Sequence, residues 1–174
     1  MKLPPAIGFA AKFVLVFALL MGAFEASRGS AFERFLVETC ILMPTIYLIN
    51  TVTPEEHVQL VGRTLSSAGS NLRVTRGCEG VEMFLMLVAG ILAYPADGRR
   101  RTRGLVVGAA IAWGLSIARL MALHYVLHYS PAAWEALHGL ILPLAPIVFI
   151  ALYFMSWSAD PRRAAPFRSE FDAA

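Results

Sequence analysis

Five apolar segments alternate with short polar segments along this chain of 174 residues. A helix needs roughly 20 apolar residues to cross the hydrocarbon core of a membrane, and each segment comes close to that length. The pattern therefore predicts an all-α, polytopic transmembrane bundle of about five spans, in one domain that covers residues 1–174. We interpret the first segment as a retained helix and not a signal peptide, because Lys12 interrupts it. The five predicted spans are 5–24, 32–52, 79–95, 104–127 and 138–157.

The longest polar segment lies between the second and third spans and has its own local signals. Thr53-Pro54-Glu55-Glu56 has the residues of a helix-capping box, which predicts a short surface helix ending near Ala68. Residues 71–76 alternate polar and apolar, as an extended segment does. The polar, Arg- and Pro-rich tail at 160–174 is expected to be mobile.

Composition supports a membrane environment. The chain is 57% apolar and 16% charged, with a mean hydropathy of +0.62, whereas soluble domains are about 45–50% apolar and about 25% charged. The net charge is +3, but the arginines cluster in short segments between apolar runs. That distribution indicates membrane topology and argues against a nucleic-acid partner.

Arginine counts predict which loops share a side of the membrane. The loop at 96–103 carries four arginines, and the loop at 128–137 carries none. Placing 96–103 and the C-terminal tail in the cytoplasm puts 53–78 and 128–137 outside. The same rule puts the loop at 25–31 inside and the N-terminus outside.

Ionisable residues within predicted spans are costly, so each is a candidate functional residue. Arg119 lies roughly 12 Å below the outer boundary of the fourth span and needs a partner, for which Glu82 on the third span is the candidate. Cys78 stands between two glycines at the outer start of the third span, where the helix N-terminus favours a thiolate. His138 begins the fifth span at its outer end.

Three further residues invite a chemical interpretation and are better explained as structural. Cys40 lies in the middle of an apolar run and is most simply a packing residue. His124 and His128 are four residues apart, a spacing that can bind a metal, but the sequence offers no clear third ligand. We therefore predict neither a metal nor a cofactor.

The predicted topology brings Cys78, Arg119 and His138 to the outer half of three consecutive helices. A thiol nucleophile needs a base for its proton and a donor for the tetrahedral oxyanion, and His138 and Arg119 could supply them. Two alternatives remain open. One is a non-enzymatic scaffold locked by an Arg119–Glu82 pair. The other is a small transporter. It is the weaker alternative, because the ionisable residues cluster at one face and do not mark a path through the midplane.

The same residues carry a resemblance to a known family. The run Gly77-Cys78-Glu79-Gly80-Val81-Glu82, the apolar stretch to Tyr94-Pro95, an Arg near the middle of the next helix and then His138 resemble the exosortase/archaeosortase family. The resemblance is closest to the short bacterial exosortases, including the H-type, and covers roughly residues 71–157. The family commonly has Asn three residues before the Arg and Ile just after it, where this chain has Ser116 and Leu120.

The resemblance implies a cysteine peptidase/transpeptidase of the bacterial inner membrane. Its expected substrates are membrane proteins with a C-terminal sorting signal, which consists of a short motif, a transmembrane helix and a basic tail. Cys78, Arg119 and His138 would be the catalytic positions, at the outer face. The expected supporting or substrate-binding residues are Glu82, Ser116 and Arg76.

Overall fold

The computed structural model describes residues 5–75 and 77–159; Arg76 and the tail expected at 160–174 lie outside them. Four of its apolar helices are long enough to cross a membrane, and a fifth has 13 residues. The predicted all-α polytopic bundle is confirmed. The helices are α1 (Pro5–Ala26), α2 (Ala31–Val52), α3 (Val81–Ala93), α4 (Gly98–Tyr129) and α5 (Pro131–Ser158).

The helices extend beyond some of the predicted spans and depart locally from α-geometry. Helix α4 begins at Gly98, ahead of the predicted span at 104, and its first turns hold the arginine-rich residues. Arginine is a good helix former even outside the apolar region. Two helices contain a π-helical stretch, at Phe35–Leu42 in α2 and at Leu137–Ile141 in α5. Such stretches often lie at functional sites.

Small residues bring α3, α4 and α5 close together. A Cβ on Gly104 would lie 2.5 Å from Nε1 of Trp157, and one on Gly108 would lie 2.6 Å from Leu87. The Tyr153 hydroxyl donates to the Gly104 carbonyl at 2.8 Å. Close approach at small residues is the usual way in which membrane helices associate.

Helix α1 runs antiparallel to α3. Near its start, the Phe9 ring lies 6.3 Å from the ring of Tyr94, at the end of α3. Just beyond its other end, Arg28 Nη1 lies 4.0 Å from Glu79, which precedes α3. The start of α1 therefore lies at the end of the bundle that carries the arginine loop, called here the arginine end. The turn after α1 lies at the opposite end, called the Cys78 end.

The predicted sidedness of the first loop is therefore wrong. Residues 25–31 and 53–78 were placed on opposite sides, yet Arg63 Nη2 lies 2.8 Å from Glu33 Oε1, directly after that first loop. The prediction alternated sides from the loop at 96–103 and so assumed that residues 32–52 cross the whole membrane. Arg28, which the prediction placed inside, is paired with Glu25 at 2.8 Å.

Helix α2 begins and ends toward the Cys78 end. Its first turn carries Glu33, and the hydroxyl of Thr53, just after its last residue, lies 3.1 Å from that of Tyr125 on the final part of α4. Between these points, Trp113 Nε1 donates to the Cys40 carbonyl at 2.6 Å. Its length and composition suffice for a span, but its contacts do not carry it to the arginine end.

A small antiparallel sheet replaces most of the predicted surface helix. Only Pro54–Glu56 is helical, as one 3-10 turn. The Thr53 hydroxyl bonds to the Ile49 carbonyl at 3.0 Å and does not cap a following helix. The predicted extended segment is confirmed where the last strand forms. The strands are β1 (Gln59–Val61), β2 (Thr64–Ser66) and β3 (Asn71–Arg73), in the order β1-β2-β3.

The sheet packs on the helices through one apolar face. Leu60, Leu65 and Leu72 are paired across the three strands, and Leu65 is fully buried. They join a cluster of buried side chains from α2 and α4 that also includes Cys78 and Leu120. The core thus holds the Cys78 segment between the sheet and α4.

Candidate active site

Cys78 lies in a tight turn that connects the sheet to α3. Gly77 and Gly80 both have φ of +81°, a left-handed conformation that favours glycine. The Cys78 backbone N–H donates to the Thr75 carbonyl at 3.1 Å. The cysteine is 8% exposed. We call residues 77–80 the Cys78 turn.

The structure brings Cys78 and His138 together across 60 positions of sequence. The distance from Cys78 Sγ to His138 Nε2 is 3.8 Å, and Thr75 Oγ1 lies 3.7 Å from the same sulfur. His138 belongs to the π-helical stretch of α5. An imidazole nitrogen in contact with a thiol can take its proton, which is the first requirement of a cysteine nucleophile.

Trp134 supports His138 and was missed from the sequence. Its ring stacks on the imidazole with a centroid distance of 4.7 Å and an interplanar angle of 9°. The two residues are four positions apart, so the pair could have been found from helical spacing. Thr75, three residues before Cys78, was missed as well.

Arg119 holds the backbone of the Cys78 turn. Its Nη1 donates to the Gly77 carbonyl at 3.0 Å, and the residue is 7% exposed. Its Nε is buried with no hydrogen-bond partner among the described residues. The arginine thus contacts the turn that carries Cys78 and retains donor capacity.

The expected Arg119–Glu82 pair is absent from the ion pairs of residues 5–75 and 77–159. Arg119 bonds instead to the Gly77 carbonyl, which the turn presents above α4. The carboxylate of Glu82 lies beside Gly77. This removes the contact on which the scaffold alternative rested.

Ser116 also lies at the turn, but it does not bond to Arg119. Its hydroxyl donates to the Ala112 carbonyl at 2.8 Å. Its side chain packs so closely on Gly80 that a Cβ there would lie 2.1 Å from Oγ. Ser116 therefore sets how closely the turn approaches α4. Arg76, the remaining supporting candidate, lies outside the described residues.

His124 and His128 face a residue that the sequence did not connect with them. Each has a ring nitrogen 3.4 Å from a carboxylate oxygen of buried Glu56. The part of the chain that the structure describes contains no group of three His, Cys, Asp or Glu side chains that could hold a metal ion. The cluster instead joins the segment after α2 to the end of α4.

A polar groove adjoins the Cys78 turn. It has a volume of about 600 Å³, and Thr75, which contacts the Cys78 sulfur, forms part of its wall. The other lining residues are Val61, Arg63, Thr64, Arg73 and Val74.

No family model, curated protein or solved structure matches the chain. Its class is therefore defined by its own fold and site. It is a polytopic helical membrane protein with a cysteine–histidine contact at one end of the bundle.

Proposed function

We propose that this chain is a membrane-embedded cysteine peptidase/transpeptidase that cleaves C-terminal sorting signals. The 3.8 Å contact between Cys78 Sγ and His138 Nε2 carries the proposal. Cysteine and histidine meet here from separate elements, and an arginine of α4 bonds to the turn that carries the cysteine. The resemblance of residues 71–157 to exosortases supplies the substrate class.

The reaction would proceed through a thioester. His138 Nε2 takes the Cys78 proton while the sulfur attacks the scissile carbonyl carbon. The tetrahedral intermediate collapses, the C–N bond breaks, and the leaving amine takes the proton from His138. Water or an acceptor amine then gives a proton to His138 and attacks the thioester, which releases the product and restores the thiol.

Arg119 would act on the oxyanion or on the substrate backbone. A guanidinium has five N–H donors, and one of them is used on the Gly77 carbonyl. A donor fixed close to the nucleophile stabilises the charge that develops on the carbonyl oxygen. The polar groove beside Thr75 would admit the substrate segment that precedes the scissile bond.

We further propose that the Cys78 end faces the exterior of a bacterial inner membrane. The arginine end carries Arg99, Arg100, Arg101 and Arg103, and Lys12 lines a pocket there beside Arg101. Positive charge marks the cytoplasmic side. A sorting signal would then place its basic tail at the arginine end and its cleavage motif at Cys78.

Processing of a co-expressed substrate tests the proposal. The substrate is a membrane protein with a C-terminal motif, an apolar helix and a basic tail. We expect Cys78→Ala to abolish cleavage and His138→Ala to slow it by about 10²–10⁴-fold, the usual contribution of a general acid–base. Cleavage is measured by the mass of the substrate over time.

The second cysteine provides the matched control. Cys40→Ala changes a half-buried thiol whose contact with Trp113 runs through its backbone carbonyl, so processing should remain at the wild-type rate. A substrate thioester trapped on Cys78, and absent in Cys78→Ala, would identify the nucleophile directly. Full processing by correctly inserted Cys78→Ala would refute the proposal.

A further inference from the structure

Two buried glutamates and two partly exposed arginines meet beside the Cys78 turn. Arg63 Nη2 lies 2.8 Å from Glu33 Oε1 and 3.1 Å from Glu79 Oε1. Arg28 Nη1 lies 3.9 Å from Glu33 and 4.0 Å from Glu79. The two carboxylates are 6% and 3% exposed. The four-residue cluster thus joins the α1–α2 turn, the β1–β2 hairpin and the Cys78 turn.

Burying the two carboxylates of the cluster costs desolvation free energy, which reduces what the ion pairs contribute to stability. Burial raises the pKa of the Glu79 carboxyl, although Arg63 and Arg28 oppose that effect. When the pKa of a carboxyl is higher in the folded state than in the unfolded state, the fold loses stability as the pH rises from the unfolded-state pKa to the folded-state pKa. Buried ion pairs are often replaceable by apolar residues without loss of stability. Another role must account for Glu79.

That role follows from the backbone on either side of Glu79. The turn has glycines at both ends and would be free to change conformation without anchors. Arg119 holds one end through the Gly77 carbonyl, and Ser116 packs on Gly80 at the other. Glu79, the residue directly after Cys78, is held between the two arginines of the cluster.

We propose that Glu79, held by Arg63 and Arg28, is a positioning residue that sets the Cys78 sulfur against His138. Its consequence for catalysis depends on the proposed peptidase function, whereas its effect on the thiol does not. The charge cluster touches the turn and not the reacting atoms. Its loss should therefore change the reactivity of Cys78 without unfolding the chain.

Thiol labelling in a Cys40→Ser background tests this directly. Purified full-length protein in detergent is treated with N-ethylmaleimide, and the initial labelling rate of Cys78 is measured at one pH. We expect Glu79→Gln to raise that rate, because a released turn exposes the thiol. The thermal midpoint at neutral pH should not fall. In the processing assay, the rate should fall by about 100-fold, the cost of a misplacement of about 1 Å.

Matched variants separate positioning from a general loss of charge. Glu55→Gln changes an exposed glutamate in the segment after α2, and Arg34→Gln changes the exposed arginine next to Glu33. Both should label and process as the wild type does. The double variant Arg63→Gln/Glu79→Gln should be no more affected than either single variant, because both break one link.

The proposal fails if folded Glu79→Gln labels and processes at the wild-type rates. Should that variant not insert, Arg63→Lys decides the matter. Lysine keeps the charge but lacks the guanidinium, whose Nη2 lies between the two carboxylates, and its ammonium ends a shorter side chain. Labelling must therefore still rise for the proposal to stand. Processing by Cys78→Ala would refute the peptidase function alone, because the labelling experiment requires no substrate.

Discussion

At the scale of single residues, Gly80 shows how closely the Cys78 turn is packed. Its φ of +81° is left-handed, and a Cβ would lie 2.1 Å from Ser116 Oγ and 2.9 Å from Ser116 Cβ. Gly80→Ala should therefore destabilise the protein by about 2 kcal/mol or more from the backbone and the clash together. The measurement is thermal unfolding in detergent, together with the labelling rate of Cys78.

Two variants bracket that result. Gly114→Ala, on an open face of α4 with nothing within 4 Å of the added carbon, should leave stability unchanged or raise it by up to about 1 kcal/mol. Adding Ser116→Gly to Gly80→Ala removes the clash with Ser116 but keeps the unfavourable φ and the 3.1 Å approach to Met83 Cε, so stability should recover in part. Equal stability of Gly80→Ala and the wild type would contradict the packing described for the turn.

At the scale of whole elements, the contacts of α2 make a topological prediction. In a background with Cys40→Ser and Cys78→Ser, single cysteines are introduced as Ala31→Cys, Ala68→Cys and Thr102→Cys. All three positions are exposed. In sealed vesicles a membrane-impermeant maleimide should label the first two from one side and the third only from the other side. Labelling of Ala31→Cys and Thr102→Cys from the same side would contradict the antiparallel arrangement of α1 and α3.

The elements also show which sequence signals were sufficient. Long apolar runs specify helices strongly, so all five helices were predicted. The location of Cys78 and His138 at one end depended only on the last three. The segment after α2 was wrongly predicted to be a helix, because the capping box at Thr53 reflects only a local preference. In the structure the Thr53 hydroxyl instead donates to the Ile49 carbonyl at the end of α2 and lies 3.1 Å from the Tyr125 hydroxyl of α4. The contact with Tyr125 is tertiary and leaves no pattern in sequence.

Charge pairing limited the sequence prediction in a similar way. The side of the loop at 25–31 was derived by alternating the predicted spans from the loop at 96–103. Glu82 was chosen as the partner of Arg119 because it lies one turn from Cys78 on the same face of the third span. In the structure the ion pair between Arg63 and Glu33 holds the start of α2 at the Cys78 end, and Arg119 bonds to a backbone carbonyl. Both outcomes depend on which elements pack together, which neither residue type nor spacing determines.

At the scale of the whole molecule, Glu56 connects the segment after α2 to the end of α4. The carboxylate is 5% exposed and lies 3.4 Å from ring nitrogens of both His124 and His128. Burial alone would raise its pKa, but a hydrogen bond from Ser67 and the two imidazoles outweigh burial and lower it. The contact therefore favours the ionised form.

The sign of the pH dependence follows from that shift. A carboxyl whose pKa is lower in the folded state stabilises the fold above the ordinary glutamate value of 4.5 and loses that contribution as the pH falls through its own lower value. We expect Glu56→Gln to lower the thermal midpoint at pH 7 by about 2–4 °C, as for loss of an interaction worth ~1 kcal/mol. It should also lose less stability than the wild type on acidification from pH 6 to pH 3.

Glu55→Gln, which changes an exposed neighbour, should follow the wild-type profile. Identical acid profiles for Glu56→Gln and the wild type would mean that this carboxylate does not hold α4 to the segment after α2.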